Sequence, residues 1–104
     1  MKIAVTYQDG DIFQHFGHTE FFKIYDIENT DIVKTEIVST NGSGHGALAQ
    51  FLHEHSVDTL ICGGIGGGAQ LALSQAGIKL YGGVTGKADD AVNDLLNNKL
   101  NYDP

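Results

Sequence analysis

The apolar positions fall into two periods that change partway along the chain. In Lys2 to Tyr7, Ile3 and Val5 alternate with polar neighbours around Ala4, which predicts a nearly wholly buried and therefore central strand. Glu20 to Ile27 sets Phe22, Ile24 and Asp26 against Phe21, Lys23, Tyr25 and Ile27 and predicts a second strand. After the turn Glu28-Asn29-Thr30-Asp31, Ile32 to Ser39 returns as a third, with Val33, Thr35 and Ile37 alternating with Lys34, Glu36 and Val38. These hairpin strands are expected to be the wettest of the sheet. The period then becomes helical: Leu48, Phe51, Leu52 and His55 share one face at i, i+3, i+4, i+7. Thr59 to Cys62 is a short apolar strand that stops at five glycines within Gly63 to Gly68, and Ala69, Ala72, Leu73 and Ala76 recur at helical spacing before Gly77. Ile78 to Tyr81 predicts a fifth strand, and Ala88, Ala91, Val92, Leu95 and Leu96 give the last helix its stripe. The polar tail from Asn97 to Pro104 is expected to pack loosely.

The resulting order, β-β-β-α-β-α-β-α, predicts one α/β domain over residues 1–104 with a five-stranded mixed sheet. The most apolar strand, the first, should neighbour the fourth, with the second antiparallel beside it, giving the order 3-2-1-4-5. Right-handed crossovers from strand three to four and from four to five should put helices on both faces. Strand two reverses, so the loop before it, the loop after strand three and the turn after strand four should share the carboxyl edge, where open α/β sheets hold ligands.

Composition narrows the classes. Thirteen acids against six bases give a net charge of −7, which argues against a nucleic-acid partner because phosphate binding needs a basic face. Hydrophobic residues make up 41%, yet nothing approaches the ~18 consecutive apolar residues of a membrane span. The N-terminus runs straight into a strand without a signal-peptide pattern, and the single cysteine excludes an internal disulfide; the cytoplasm is the expected compartment. The acids are uneven: none lies between Asn41 and Leu52 or between Gly63 and Thr85. Anions are repelled least there.

The candidate chemistry sits in three loops. Ile12-Phe13-Gln14-His15-Phe16-Gly17-His18 carries two imidazoles three residues apart. The loop Asn41 to Gly46 ends with Gly44, His45 and Gly46 at a helix start, whose dipole disfavours the imidazolium form of His45 and leaves a potential metal ligand or a capping residue. The turn Cys62-Gly63-Gly64-Ile65-Gly66-Gly67-Gly68 also leads into a helix, where glycines permit positive φ or close backbone approach and exposed N–H groups favour negative charge. Gly64, Gly66 and Ala69 fit a dinucleotide-site spacing, but Gly82, Gly83 and Val84 stand where the ribose-binding acid belongs. Ala69 and Gln70 after Gly68 exclude a P-loop. Asp89 and Asp90 fill the first turn of the last helix and make it a poor anion site. These residues leave three functions open: a carrier of an anionic ligand, a small enzyme using His15, His18, His45 and Cys62, and a signalling domain that binds a small anion or nucleotide.

The segments Ile12-Phe13-x-His15-Phe16-Gly17 with Phe22-x-Ile24-Tyr25, Gly44-His45-Gly46-Ala47, and Cys62-Gly63-Gly64-Ile65-Gly66-Gly67-Gly68-Ala69 through Ala76 to Gly83 resemble, in order, the dinitrogenase iron–molybdenum cofactor biosynthesis family. The resemblance implies a ribonuclease-H-like three-layer α/β/α sandwich and a non-catalytic carrier of a preassembled iron–molybdenum cofactor or other Mo-containing or iron–sulfur-type cluster. It also implies assembly or acceptor proteins as partners and makes His15 the cofactor-contact candidate. A bulky anionic cluster needs N–H donors, few carboxylates and one or two labile ligands, and a single cysteine cannot hold a conventional iron–sulfur cluster. The expected contacts are His15, Phe16, Gly17, His18, Gly44, His45, Gly46, Cys62, Gly63, Gly64, Gly66 and Gly67, with His15, His45 and Cys62 on the metal.

Overall fold

The computed structural model describes residues 1–42 and 45–103, the side chain of His45 excepted. The strands are β1 (Lys2–Gln8), β2 (Asp11–Ile12), β3 (Phe21–Glu28), β4 (Asp31–Ser39), β5 (Thr59–Ile61) and β6 (Lys79–Tyr81), and the helices are α1 (His45–Glu54), α2 (Gly67–Gln75) and α3 (Ala88–Leu96). The main path of the sheet is β4-β3-β1-β5-β6, the order the apolar pattern predicts, with β1 antiparallel to β3 and parallel to β5. Leu60 pairs with Ala4 and Leu80, so β5 is buried between neighbours on both sides.

Among the described residues six strands form rather than five. Asp9 and Gly10 both have positive φ, 51° and 91°, as a two-residue type I′ hairpin turn requires, and this folds Asp11 and Ile12 back onto Gln8 and Tyr7. The Asp-Gly pair is the local signal for that hairpin; taken only as a turn, it hides β2.

Both crossovers, β4 to β5 through α1 and β5 to β6 through α2, step across the sheet in the same direction. A common hand therefore puts both helices on one face. They pack there over Ala4, Phe22, Ile24, Leu60 and Cys62, burying Leu48, Leu52 and Leu73. The opposite layer is α3 alone, with Ala88, Ala91 and Val92 against Ile3, Val5, Tyr25 and Ile61. Both faces are covered, but by α3 rather than by α1 and α2 separately. The wet-hairpin expectation holds for β4, exposed along most of its length, and fails for β3, where Phe22, Ile24, Tyr25 and Ile27 are buried.

The tail is pinned rather than loose. The Asp103 N–H donates to the Gly82 carbonyl at 2.8 Å, and Tyr102 meets Tyr81 edge-on with ring centroids 4.6 Å apart.

A polar tie fixes α3 to the sheet. The Tyr25 hydroxyl donates to Asp89 at 2.6 Å, and Lys23 reaches the same oxygen at 2.8 Å. These bonds, the lysine's first, hold the Asp89 carboxyl below its ordinary range, while burial above all pushes the Tyr25 phenol up. A depressed carboxyl contributes stability that is present above about pH 4, its unfolded value, and lost as pH falls through the folded one. Tyr25→Phe removes a bond to a charged acceptor and is expected to cost about 1–2 kcal/mol at neutral pH. The difference from wild type should shrink as Asp89 protonates. Thermal melts of both proteins between neutral and acid pH check this; a constant gap would sink the assignment.

Candidate functional site

The chain leaves β2 and returns to β3 through a loop that lies on the glycine turn. Gly64 donates to the Gln14 carbonyl at 2.7 Å and Phe16 donates to the Gly64 carbonyl at 3.1 Å, a parallel bridge that sets His15 beside Gly64. The Gln14 amide then donates to the Ile12 and Val84 carbonyls, both at 3.0 Å, closing the loop over the end of β6. Gln14 is thus a positioning residue with no motif of its own in the sequence. Next comes the 3-10 turn Phe16–His18, anchored by the buried Phe16 ring and by Thr19, whose hydroxyl donates to the Phe16 carbonyl at 2.7 Å.

The glycines of the turn work differently from the positive-φ expectation. None between Gly63 and Gly68 has positive φ. A Cβ on Gly63 would lie 2.7 Å from the Gln14 Cα, and one on Gly64 2.9 Å from the Gln14 carbonyl oxygen, so these two make room for the His15 loop. Gly66, Gly67 and Gly68 face open space. They leave the start of α2 bare: Gly66 is the N-cap with no side-chain cap bond, and no acid stands in the first turn. The first N–H groups of an α-helix have no intrahelical acceptor, so they remain available to an anion.

A groove of about 260 Å³ opens between the 3-10 turn and the starts of α1 and α2, lined by Phe16, Gly17, Gly46, Gly66, Gly68, Ala69 and Ala72. Among the described residues no carboxylate lines it. The hollow beside Tyr7 and Phe21 carries Asp9 and Glu20, that over Gly63 and Gly83 carries Asp103, and those further round carry Asp11, Asp90 and Asp94. Larger volume, as at the hollows of about 390 and 410 Å³, does not offset that charge for an anionic ligand.

The predicted residues divide. Phe16, Gly17, Gly46 and Gly66 meet at the groove, and Gly68, Ala69 and Ala72, which are not among the expected contacts, join them. The helical spacing of Ala69 and Ala72 was the available signal. Gly67 lies within the same bare helix start, whereas Gly63 and Gly64 line the hollow on the other side, over Asp103. His15 is at the right sheet edge, but its exposed ring lies edge-on to Phe13, with centroids 6.0 Å apart, in the hollow with Asp9 and Asp11. His18, also exposed, closes the 3-10 turn. Gly44 and the His45 side chain lie outside the described residues. Among the described residues no three His, Cys, Asp or Glu side chains converge as a metal site.

Cys62 does not face the groove. Its thiol is fully buried in the α1–α2 core, and burial pushes its pKa up to about 12. A neutral thiol with no opening is not placed to ligate a cluster, so the expected ligand role has no support in its surroundings. Its strand end is simply a core position. Alkylation of native protein at pH 8 is accordingly expected to be slower than that of an unfolded thiol by several orders of magnitude and to track unfolding. Rapid stoichiometric labelling without denaturant would show an opening the structure lacks.

The chain is similar to other proteins in sequence and in overall fold. Uncharacterized protein MJ0580 of Methanocaldococcus jannaschii is 31% identical over 105 residues, spanning 96% of this chain and 89% of that one. The crystal structure of PH0822 is 29% identical, with a TM-score of 0.93, covering 99% of this chain and 95% of that one. The apo form of the orange protein from Desulfovibrio gigas is 26% identical, with a TM-score of 0.83, covering 98% and 92%. The model of the dinitrogenase iron-molybdenum cofactor family matches residues 1–98. Hairpin, His-Phe-Gly turn, glycine turn and bare helix start thus fall within one matched span, and the chain belongs to the dinitrogenase iron-molybdenum cofactor family.

Proposed function

We propose that the protein is a non-catalytic carrier of a preassembled anionic metal–sulfur cluster, of iron–molybdenum cofactor or other Mo-containing type, acting in cluster assembly or delivery. The carrying observation is the groove itself: two helix starts without acids, glycine backbone on the rim, and no carboxylate where the neighbouring hollows have them. Fixed N–H dipoles stabilise an anion without a full set of covalent ligands, which suits a cargo that has to leave. Family membership supports the cargo class, and the similar orange protein is described in an apo form.

In this reading His15 is the labile contact. It swings from Phe13 around the Gly64 bridge to meet cargo at the rim. Acceptor and donor proteins of the assembly route are the natural partners. The alternative of an enzyme would need an acid or base oriented in the groove, and the lining supplies none among its described residues.

Anaerobically purified protein, assayed for metal and by visible absorption and then titrated with a thiomolybdate anion, tests the proposal. His15→Ala should weaken binding on the order of tenfold, by the scale of losses at metal-site supports. Metal-free protein that turns over a substrate, with activity lost in His15→Ala, would overturn the carrier reading.

A further inference from the structure

The edge strand β4 is unusual within this sheet. It is nine residues long and hydrogen-bonds only to β3 on one side, whereas β6 at the other edge has three residues. The helix layers reach only Ile32 and Val38 near its ends: Lys34, Thr35, Glu36 and Ile37 are all exposed, and Val33 and Ile37 keep 54% of their surface in water. A long edge with exposed β-branched residues is a template for another strand.

The order of its side chains names the strand that fits. We propose that β4 pairs antiparallel with β4 of a second copy of this chain about a two-fold axis at Thr35, joining two sheets into one. In that register Thr35 faces Thr35 once on the axis, and Lys34 faces Glu36 and Val33 faces Ile37, these two pairs each occurring twice by symmetry. Paired residues share a face. Lys34 and Glu36 pair with Asp26 and Ile24 of β3, so they project on the α1–α2 side. Ile37 pairs with Lys23 and, with Phe21, lines the hollow on the other side. Val33 is the extra residue of the bulge where Asp26 pairs with Lys34 and Ile27 with Ile32, and this bulge bounds the new ladder.

Charge selects the register. The two nearest registers of the same symmetry set Lys34 against Lys34 or Glu36 against Glu36, and like charges directly opposite are destabilising. The Thr35 register instead matches opposite charges on one face and β-branched side chains on the other. The interface is isologous, as a closed dimer requires. It leaves each groove open, since the groove lies at the starts of α1 and α2 and β4 contributes no residue to its lining.

The test is sedimentation velocity of the full chain over a concentration series. Wild type should dimerise reversibly. Lys34→Glu and Glu36→Lys, both at exposed positions, should each retain the native circular dichroism and weaken the dimer on the order of tenfold or more. An equimolar mixture of the two variants restores opposite charges across the ladder and should associate within a few-fold of wild type. Wild type that stays monomeric, single variants that dimerise undiminished, or a mixture no tighter than either variant alone would each overturn the proposal.

Discussion

Gly63→Ala is expected to lower stability by about 3 kcal/mol, at the upper end of overpacking costs, and to loosen the loop that carries His15. The added methyl carbon would lie 2.5 Å from Gln14 Oε1 and 2.7 Å from Gln14 Cα. A flexible amide can turn aside, but a Cα cannot move without its chain. That chain is held on both sides, by Gly64 donating to the Gln14 carbonyl and by Phe16 donating to the Gly64 carbonyl. Relief therefore requires breaking the bridge that seats His15 against the turn. For a domain of this size the loss corresponds to a fall of roughly 15 °C in midpoint. Gly67→Ala, where a Cβ meets open space within α2, is the control and should be neutral to slightly stabilising. Thermal unfolding of the pair decides it, and a Gly63→Ala midpoint within a degree or two of wild type would show that the close approach is absent.

Gly66→Asp should separate stability from cargo binding. Gly66 has φ −80° and ψ 161°, the extended geometry of an N-cap, and nothing crowds its missing Cβ. Aspartate is a better cap than glycine by a few tenths of a kcal/mol, so the variant should fold at least as well as wild type. Its carboxylate, however, takes the free N–H groups of the helix start and puts a negative charge on the groove. Two unit charges about 4 Å apart repel by roughly 1–4 kcal/mol between bulk water and an effective surface dielectric. For a multiply charged thiomolybdate anion the loss in affinity is expected to be on the order of a hundredfold or more. Gly66→Asn caps without charge and should fall between the two. Titration followed by visible absorption checks the order; a Gly66→Asp protein that binds as wild type would remove the groove from the cargo path, whatever the fate of His15.

The cases where local sequence and structure part share one cause. Sheet order was legible because burial follows the continuity of apolar residues: Ile3-Ala4-Val5 has no polar face to offer solvent, so β1 is central and Thr59–Ile61 lies beside it. Helix stripes were legible for the same reason, Leu48 and Leu52 to one layer and Ala91 and Val92 to the other. The shared edge of the loops followed from strand directions alone, and the Gly64–His15 bridge lies on it.

What the sequence by itself determined is therefore periodic or local: the element order, the strand order, the charge-poor loops and the family motifs. What only the tertiary structure decided is where individual side chains point at that edge. The His15 ring lies toward Phe13 and the acids, Cys62 faces the core, and the glycines divide into two that admit Gln14 and three that stay bare. Periodicity fixes which face a residue takes within a strand or helix, but in a loop no period applies. There the direction of each side chain is set by long-range backbone bonds such as Gly64 to Gln14, fifty residues apart in the chain, which exist only once the sheet has formed.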